Sequence, residues 1–137
     1  TNEHIASYFG PGSHGSTFGG NAASCAAGCA VLDYMEDKKL VDRAEKMGQY
    51  FNSKLNGLKN KYSIVKQVRG AGLMLGMEFS QPIASQLVEK ALADYLIINK
   101  VSDHTLRFLP PLIITKANID RLIKWLDQQL REATYED

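Results

Sequence analysis

Ile64-Val-Lys-Gln-Val-Arg-Gly-Ala-Gly-Leu-Met-Leu-Gly-Met-Glu-Phe79 decides the fold. Ile64 to Arg69 and Leu73 to Phe79 are two β-prone runs, joined at Gly70-Ala-Gly72, where glycines permit a tight reversal. The glycines superficially resemble a dinucleotide-binding fingerprint. They fail it, because Leu75 stands where the third glycine belongs and a strand follows where a helix is required. The pair predicts a hairpin, and the remaining elements are placed around it.

Downstream, Pro82 opens a helix whose apolar stripe is Ile83, Leu87, Val88, Ala91 and Leu92. Leu96-Ile97-Ile98 and Thr105 to Leu109 read as two short strands. Ile119, Leu122, Ile123, Leu126 and Leu130 mark a last helix from about Lys116 to Glu132. Upstream, Leu40, Ala44, Met47, Phe51, Leu55 and Leu58 recur at three and four, the spacing of an amphipathic helix. Asp37 and Lys38 separate it from a small-residue helix, Ala22 to Leu32, with Asn21 as N-cap. A short amphipathic segment, Ile5 to Phe9, comes first. The order is helix, helix, strand, strand, helix, strand, strand, helix. It predicts an α+β domain, with helices over one face of a small, mostly antiparallel sheet.

Composition narrows the function. The chain has 137 residues, 45% hydrophobic and 23% charged, with 16 basic against 15 acidic side chains. A formal net charge of +1 supplies no electrostatic pull toward nucleic acid or an anionic membrane. No apolar run approaches the roughly 20 residues of a membrane-spanning helix. Cys25 and Cys29 cannot complete a zinc site without nearby histidines, and they are expected on a buried helix face. No metal ligand set is expected. His4, His14 and His104 stand apart from any nucleophile–carboxylate pair. A reducing, cytoplasmic setting is the expectation.

Two stretches carry candidate chemistry. Between Gly10 and Gly20, five glycines and a proline in eleven residues rule out regular structure. Within that loop Ser16 and Thr17 precede a helix N-terminus, an arrangement that suits an anion and also suits a purely structural turn. In Leu106-Arg-Phe-Leu-Pro-Pro-Leu112, Arg107 stands among apolar residues. A guanidinium there calls for an anion, either a substrate carboxylate or an internal Asp or Glu.

Three motifs, taken in order, resemble landmarks of the class III pyridoxal-phosphate-dependent aminotransferases. They are His14-Gly-Ser-Thr-Phe-Gly-Gly-Asn21, Val68-Arg-Gly-Ala-Gly-Leu-Met-Leu-Gly76 and Leu106-Arg-Phe-Leu-Pro-Pro-Leu-Ile-Ile-Thr115. The resemblance runs from Thr1 to about Leu130. The last motif, preceded by Leu96-Ile-Ile-Asn99, is most similar to the acetylornithine-type enzymes. One departure is Ala22-Ala23-Ser24, where the family usually has Pro-Leu-Ala.

What the resemblance implies is the C-terminal small domain of a fold-type I enzyme that works as a homodimer with its active site at the subunit interface. Residues 1–20 would be the edge of the large cofactor domain, 21–37 a connecting helix and 38–137 the small domain. Thr17 would bind the phosphate of pyridoxal 5'-phosphate in the neighbouring subunit, Ser16 would lie beside the substrate, and Arg107 would hold the α-carboxylate of the amino acid or of 2-oxoglutarate. The Schiff-base lysine and the aspartate at the pyridinium nitrogen would lie upstream. The first lysine here, Lys38, does not occupy that context. With no initiator Met and no such lysine, the chain is expected to be an inactive fragment that self-associates. In the intact enzyme an amino group would pass from N-acetylornithine to 2-oxoglutarate. The alternatives are another ω-aminotransferase, acting on ornithine, succinylornithine or 4-aminobutyrate, and a non-catalytic interaction module.

Overall fold

The computed structural model describes residues 2–135; Thr1, Glu136 and Asp137 lie outside it. The chain divides into two compact units, one ending at Lys38 and one beginning at Lys39.

The first unit holds α1 (Glu3–Ala6) and α2 (Ala22–Asp37). The early amphipathic segment forms only the four-residue α1, capped by the Asn2 side chain, so the helix stops before Phe9. Asn21 caps α2 as its sequence position predicts: its Oδ1 accepts from Ser24 N at 2.9 Å, and its Nδ2 donates to Phe18 O at 2.7 Å. No residue of α2 is buried. Cys25 and Cys29 are therefore exposed, which corrects the expectation of a buried face. Their small neighbours permit close packing, but nothing in the described unit is packed on them.

In the second unit the core forms from three amphipathic helices and one sheet. Strands β1 (Val65–Ala71), β2 (Met74–Phe79), β3 (Asn99–Ser102) and β4 (Thr105–Phe108) pair in the order β1-β2-β4-β3, antiparallel throughout. Along β2, Leu75, Met77 and Phe79 are buried while Met74 is exposed, the alternation of a sheet covered on one side. Helix α3 (Leu40–Lys61) buries Leu40, Met47, Phe51, Leu55 and Leu58, the stripe that its periodicity predicts. Helix α4 (Ala84–Ala93) buries Ala84, Leu87 and Ala91, and α5 (Lys116–Tyr135) buries Ile119, Leu126 and Leu130. Burying a side chain of this size stabilises by roughly 1.5–3 kcal/mol.

Polar ties clamp α3 to α5. Tyr50 Oη donates to Asp120 Oδ1 at 2.6 Å, and Tyr62 Oη donates to Asp127 Oδ1 at 2.9 Å. Lys61 reaches the same Asp127 oxygen at 2.6 Å. The lysine contact holds the Asp127 carboxyl below the usual carboxylate range, against the opposing effect of burial and with help from Tyr62. For Asp120 the Tyr50 hydrogen bond is the main cause of a shift in the same direction.

Three details depart from the sequence reading. Leu96-Ile97-Ile98 is no strand. Tyr95 takes a left-handed φ of 58°, and Leu96 N donates back to Ala91 O at 2.8 Å, so the chain is still wrapping the end of α4. Pairing begins only at Asn99. Helix α4 starts at Ala84 rather than at Pro82, and its Leu92 is exposed.

The hairpin turn packs against α3 without any side chain between them. A Cβ built on Gly48 would lie 2.1 Å from the carbonyl oxygen of Gly72, which itself has φ 51°. The reversal foreseen at Gly70-Ala-Gly72 therefore lies directly on a helix glycine.

Candidate functional site

The candidate residues fall in both units: Ser16 and Thr17 in the first, Arg107 in the second.

Ser16 and Thr17 sit in the irregular loop before α2, and both are exposed. Their hydroxyls have no hydrogen-bond partner among the described residues of that unit. Ser16 lies under Gly19, where a Cβ would come within 2.8 Å of the Ser16 Cβ. Gly20 follows with φ 74° and turns the chain into the Asn21 cap. The loop thus fixes two adjacent hydroxyls, free to donate, just before a helix whose first N–H groups favour negative charge. That donor set fits a phosphate group.

Arg107 lies on β4, between two other strands. The register sets Arg69, Gly76, Arg107 and Asn99 side by side across the sheet. Leu106 and Phe108 point into the core on the opposite face. The two arginines of the row are in different situations. Arg69 donates to Glu78 Oε2 at 2.7 Å and to Gln67 Oε1 at 3.2 Å. Its guanidinium, with Lys66 behind it, holds Glu78 below the usual carboxylate range. Arg107 is exposed, and its side chain makes no hydrogen bond or ion pair with another described residue of its unit. Of the two anions that the sequence left open, the internal carboxylate is absent among the described residues. The buried setting suggested by its apolar neighbours is also absent. Those neighbours face the core, and the arginine faces out.

Arg107 also lines a cavity of about 660 Å³ at the end of the sheet. Its apolar lining comes from Leu96, Ile97 and Ile98 and from Leu109–Pro111, Ile113 and Ile114, with Asn99 and Asn118 among the lining residues. This volume is within the usual range for small-molecule sites, and the mixture of apolar wall and few polar groups is typical of them. The displaced Leu96–Ile98 run therefore serves as cavity wall. Sequence reasoning missed both that role and the part played by Arg43, whose Nη2 donates to the carbonyl oxygens of Ile113 at 3.3 Å and Ile114 at 2.5 Å. Nothing in the local pattern of α3 signals a contact seventy residues away.

Helix α5 starts where Thr115 and Asn118 cap each other. Asn118 N donates to Thr115 Oγ1 at 3.3 Å, and the Thr115 hydroxyl donates to Asn118 Oδ1. This cap fixes Asn118 at the cavity. No helix among the described residues is long and apolar enough to cross a membrane.

Comparison with known proteins agrees with this fold. The sequence model of the aminotransferase class-III family matches residues 1–130. The chain is 46% identical over 127 residues to the acetylornithine aminotransferase of Caldanaerobacter subterraneus subsp. tengcongensis, covering 93% of this chain and 32% of that protein. It is 41% identical over 129 residues to the ornithine aminotransferase of Bacillus subtilis, covering 94% and 31%. Among solved structures it superposes on the acetylornithine aminotransferase from Elizabethkingia anophelis with a TM-score of 0.83 at 34% identity, covering 96% of this chain and 35% of that one. The chain spans about a third of the length of these relatives.

Proposed function

We propose, since this chain belongs to the class III aminotransferase family, that it is the C-terminal part of an acetylornithine aminotransferase and supplies the carboxylate clamp and phosphate clip of that enzyme. The fold is that of a fold-type I aminotransferase, and aminotransferases of this class depend on pyridoxal 5'-phosphate. The amino donor would be N-acetylornithine and the acceptor 2-oxoglutarate.

The observation that carries this reading is the free guanidinium of Arg107 beside a partnered Arg69. Arg69 has its carboxylate in Glu78, while Arg107 is held on a central strand with its donors unclaimed by any described residue of its unit. A planar fork with free N–H groups binds a carboxylate through two parallel hydrogen bonds, which fixes the orientation of the substrate as well as its position. Ser16 and Thr17 offer hydroxyl donors to the cofactor phosphate and to the substrate beside it. When bound, the cofactor accepts the amino group and withdraws electrons from the substrate carbon. The lysine that anchors the cofactor and moves the proton would come from the preceding part of the polypeptide, so the chain alone would be inactive. A homodimer would complete the site, Thr17 serving the neighbouring subunit.

The test is Arg107→Ala in the complete enzyme, assayed with N-acetylornithine. Hydrogen bonds to charged groups contribute about 1.5–3 kcal/mol, so kcat/KM should fall about 10- to 100-fold. An unchanged kcat/KM would remove the carboxylate-clamp role. Ornithine, succinylornithine and 4-aminobutyrate assayed in parallel identify the donor, and a higher kcat/KM for any of them would reassign it.

A further inference from the structure

We infer that Arg43 is a positioning residue for the carboxylate clamp: by gripping the carbonyl oxygens of Ile113 and Ile114 it sets the path of the chain that leaves Arg107. The inference rests on the proposed role of Arg107 in binding a substrate carboxylate.

Arg107 is held from two sides by the sheet, through its pairings with Gly76 on β2 and Asn99 on β3. After Phe108 the chain leaves β4 and the ladder ends. Pro110 and Pro111 follow, and neither has an N–H to donate, so backbone pairing cannot steady the segment there. Ile114 N closes a short turn onto Pro111 O at 2.9 Å. That turn defines the local shape of the segment, and Leu112 and Ile114 pack against the core, but apolar contact alone gives the backbone no directional tie.

Arg43 supplies that directional tie. It projects from the first turns of α3, the helix that packs on β1 and β2, and its Nη2 donates to Ile114 O at 2.5 Å and to Ile113 O at 3.3 Å. Carbonyl groups at the end of an irregular segment otherwise bond to water, and a charged donor gives a stronger, more directional tie than a neutral one. Ile113 and Ile114 both line the cavity that Arg107 lines. The contact therefore joins the core helix to the part of the cavity lining that follows β4 and limits how far β4 can move at its end. Arg43 makes no hydrogen bond or ion pair with Arg107 among the described residues and is not among the residues that line the cavity, so it acts through the segment it holds.

The experiment uses the complete enzyme loaded with pyridoxal phosphate and compares Arg43→Met, Arg43→Lys and Arg107→Ala. Met keeps the length of the stem and removes the donors; Lys keeps the charge and one set of donors. Each variant is assayed on the amino acid donor and on the corresponding amine lacking the α-carboxylate. The ratio of the two kcat/KM values reports carboxylate recognition. For Arg43→Met, KM for the amino acid should rise about tenfold, kcat should stay within about twofold, and the ratio should fall about tenfold. Activity on the amine and the absorbance of the bound cofactor should be unchanged. Arg43→Lys should recover a large part of the loss. In an Arg107→Ala background, Arg43→Met should have no further effect on the ratio.

A merely structural arginine would lower activity on acid and amine together and leave the ratio unchanged, and that result overturns the inference. If Arg107→Ala changes the ratio and Arg43→Met does not, the clamp stands and the positioning role falls. If Arg107→Ala itself leaves the ratio unchanged, the clamp falls and the positioning role falls with it.

Discussion

Replacing Gly48 with alanine should destabilise the domain, although alanine is the better helix former. Gly48 lies inside α3, where the change from glycine to alanine ordinarily stabilises by about 1 kcal/mol. The new Cβ would lie 2.1 Å from the carbonyl oxygen of Gly72, 2.3 Å from its carbon and 2.7 Å from its Cα. All three are backbone atoms, so no rotamer change relieves the overlap. The turn must move away from the helix by more than an ångström, and overpacking of this kind costs about 1–3 kcal/mol. With rigid backbone on one side and a buried helix on the other, the upper end applies. The net loss is then about 2 kcal/mol. The same helix provides a control. Gly57 is exposed and a Cβ there meets nothing within 4 Å, so Gly57→Ala should stabilise by about 1 kcal/mol. Urea unfolding followed by far-ultraviolet circular dichroism measures both. With a slope of about 1–3 kcal/mol per molar, the two midpoints should separate by about 1 M or more in opposite directions from the parent. Gly48→Ala as stabilising as Gly57→Ala would refute the close approach of α3 to the hairpin turn.

Acid should weaken the clamp between α3 and α5. Asp127 and Asp120 have carboxyls held below their ordinary value, so the stability they contribute is present above the unfolded-state value and is lost as pH falls through the folded one. Asp127→Asn should flatten the decline of stability as pH falls through and below the ordinary carboxylate range, measured by urea midpoints, and an unchanged acid limb would count against the pairing. Both cysteines should react with a thiol reagent in the folded chain at rates near those of the unfolded chain, because α2 leaves them exposed. Protection of either would show that another surface covers α2. The isolated chain should self-associate with rising concentration through exposed apolar side chains such as Val31, Leu32 and Tyr34, and sedimentation at a constant monomer mass would refute this.

Much of the fold could be read from periodicity, because burial here follows the repeat of each element. The stripe of α3 and the alternation of β2 are patterns that only one face toward a core can satisfy. The limits came where burial and conformation depend on distant partners. Leu96-Ile97-Ile98 is composed like a strand, yet Tyr95 turns left-handed and the run becomes a cavity wall. Cys25 and Cys29 have the composition of a buried face, but burial needs a second surface, and no sequence window encodes one. For Arg107 the sequence showed an arginine among apolar residues. Only the sheet register shows that those neighbours turn inward while the arginine remains free. Arg43 was invisible because its acceptors are main-chain atoms, which carry no residue identity.

The strand order has a consequence for how the domain is acquired. β1 with β2, and β3 with β4, are each local hairpins, of a kind that forms within about 1–10 μs. Only the seam between β2 and β4 is non-local. It requires the stretch from Ser80 to His104, with all of α4, to close first, and loop closure costs entropy before any new pairing is gained. Arg107 lies on that seam, paired to Gly76. The two hairpins can therefore exist without the row in which the arginine stands, and the proposed carboxylate recognition would arise only with the long-range step that makes one sheet out of two.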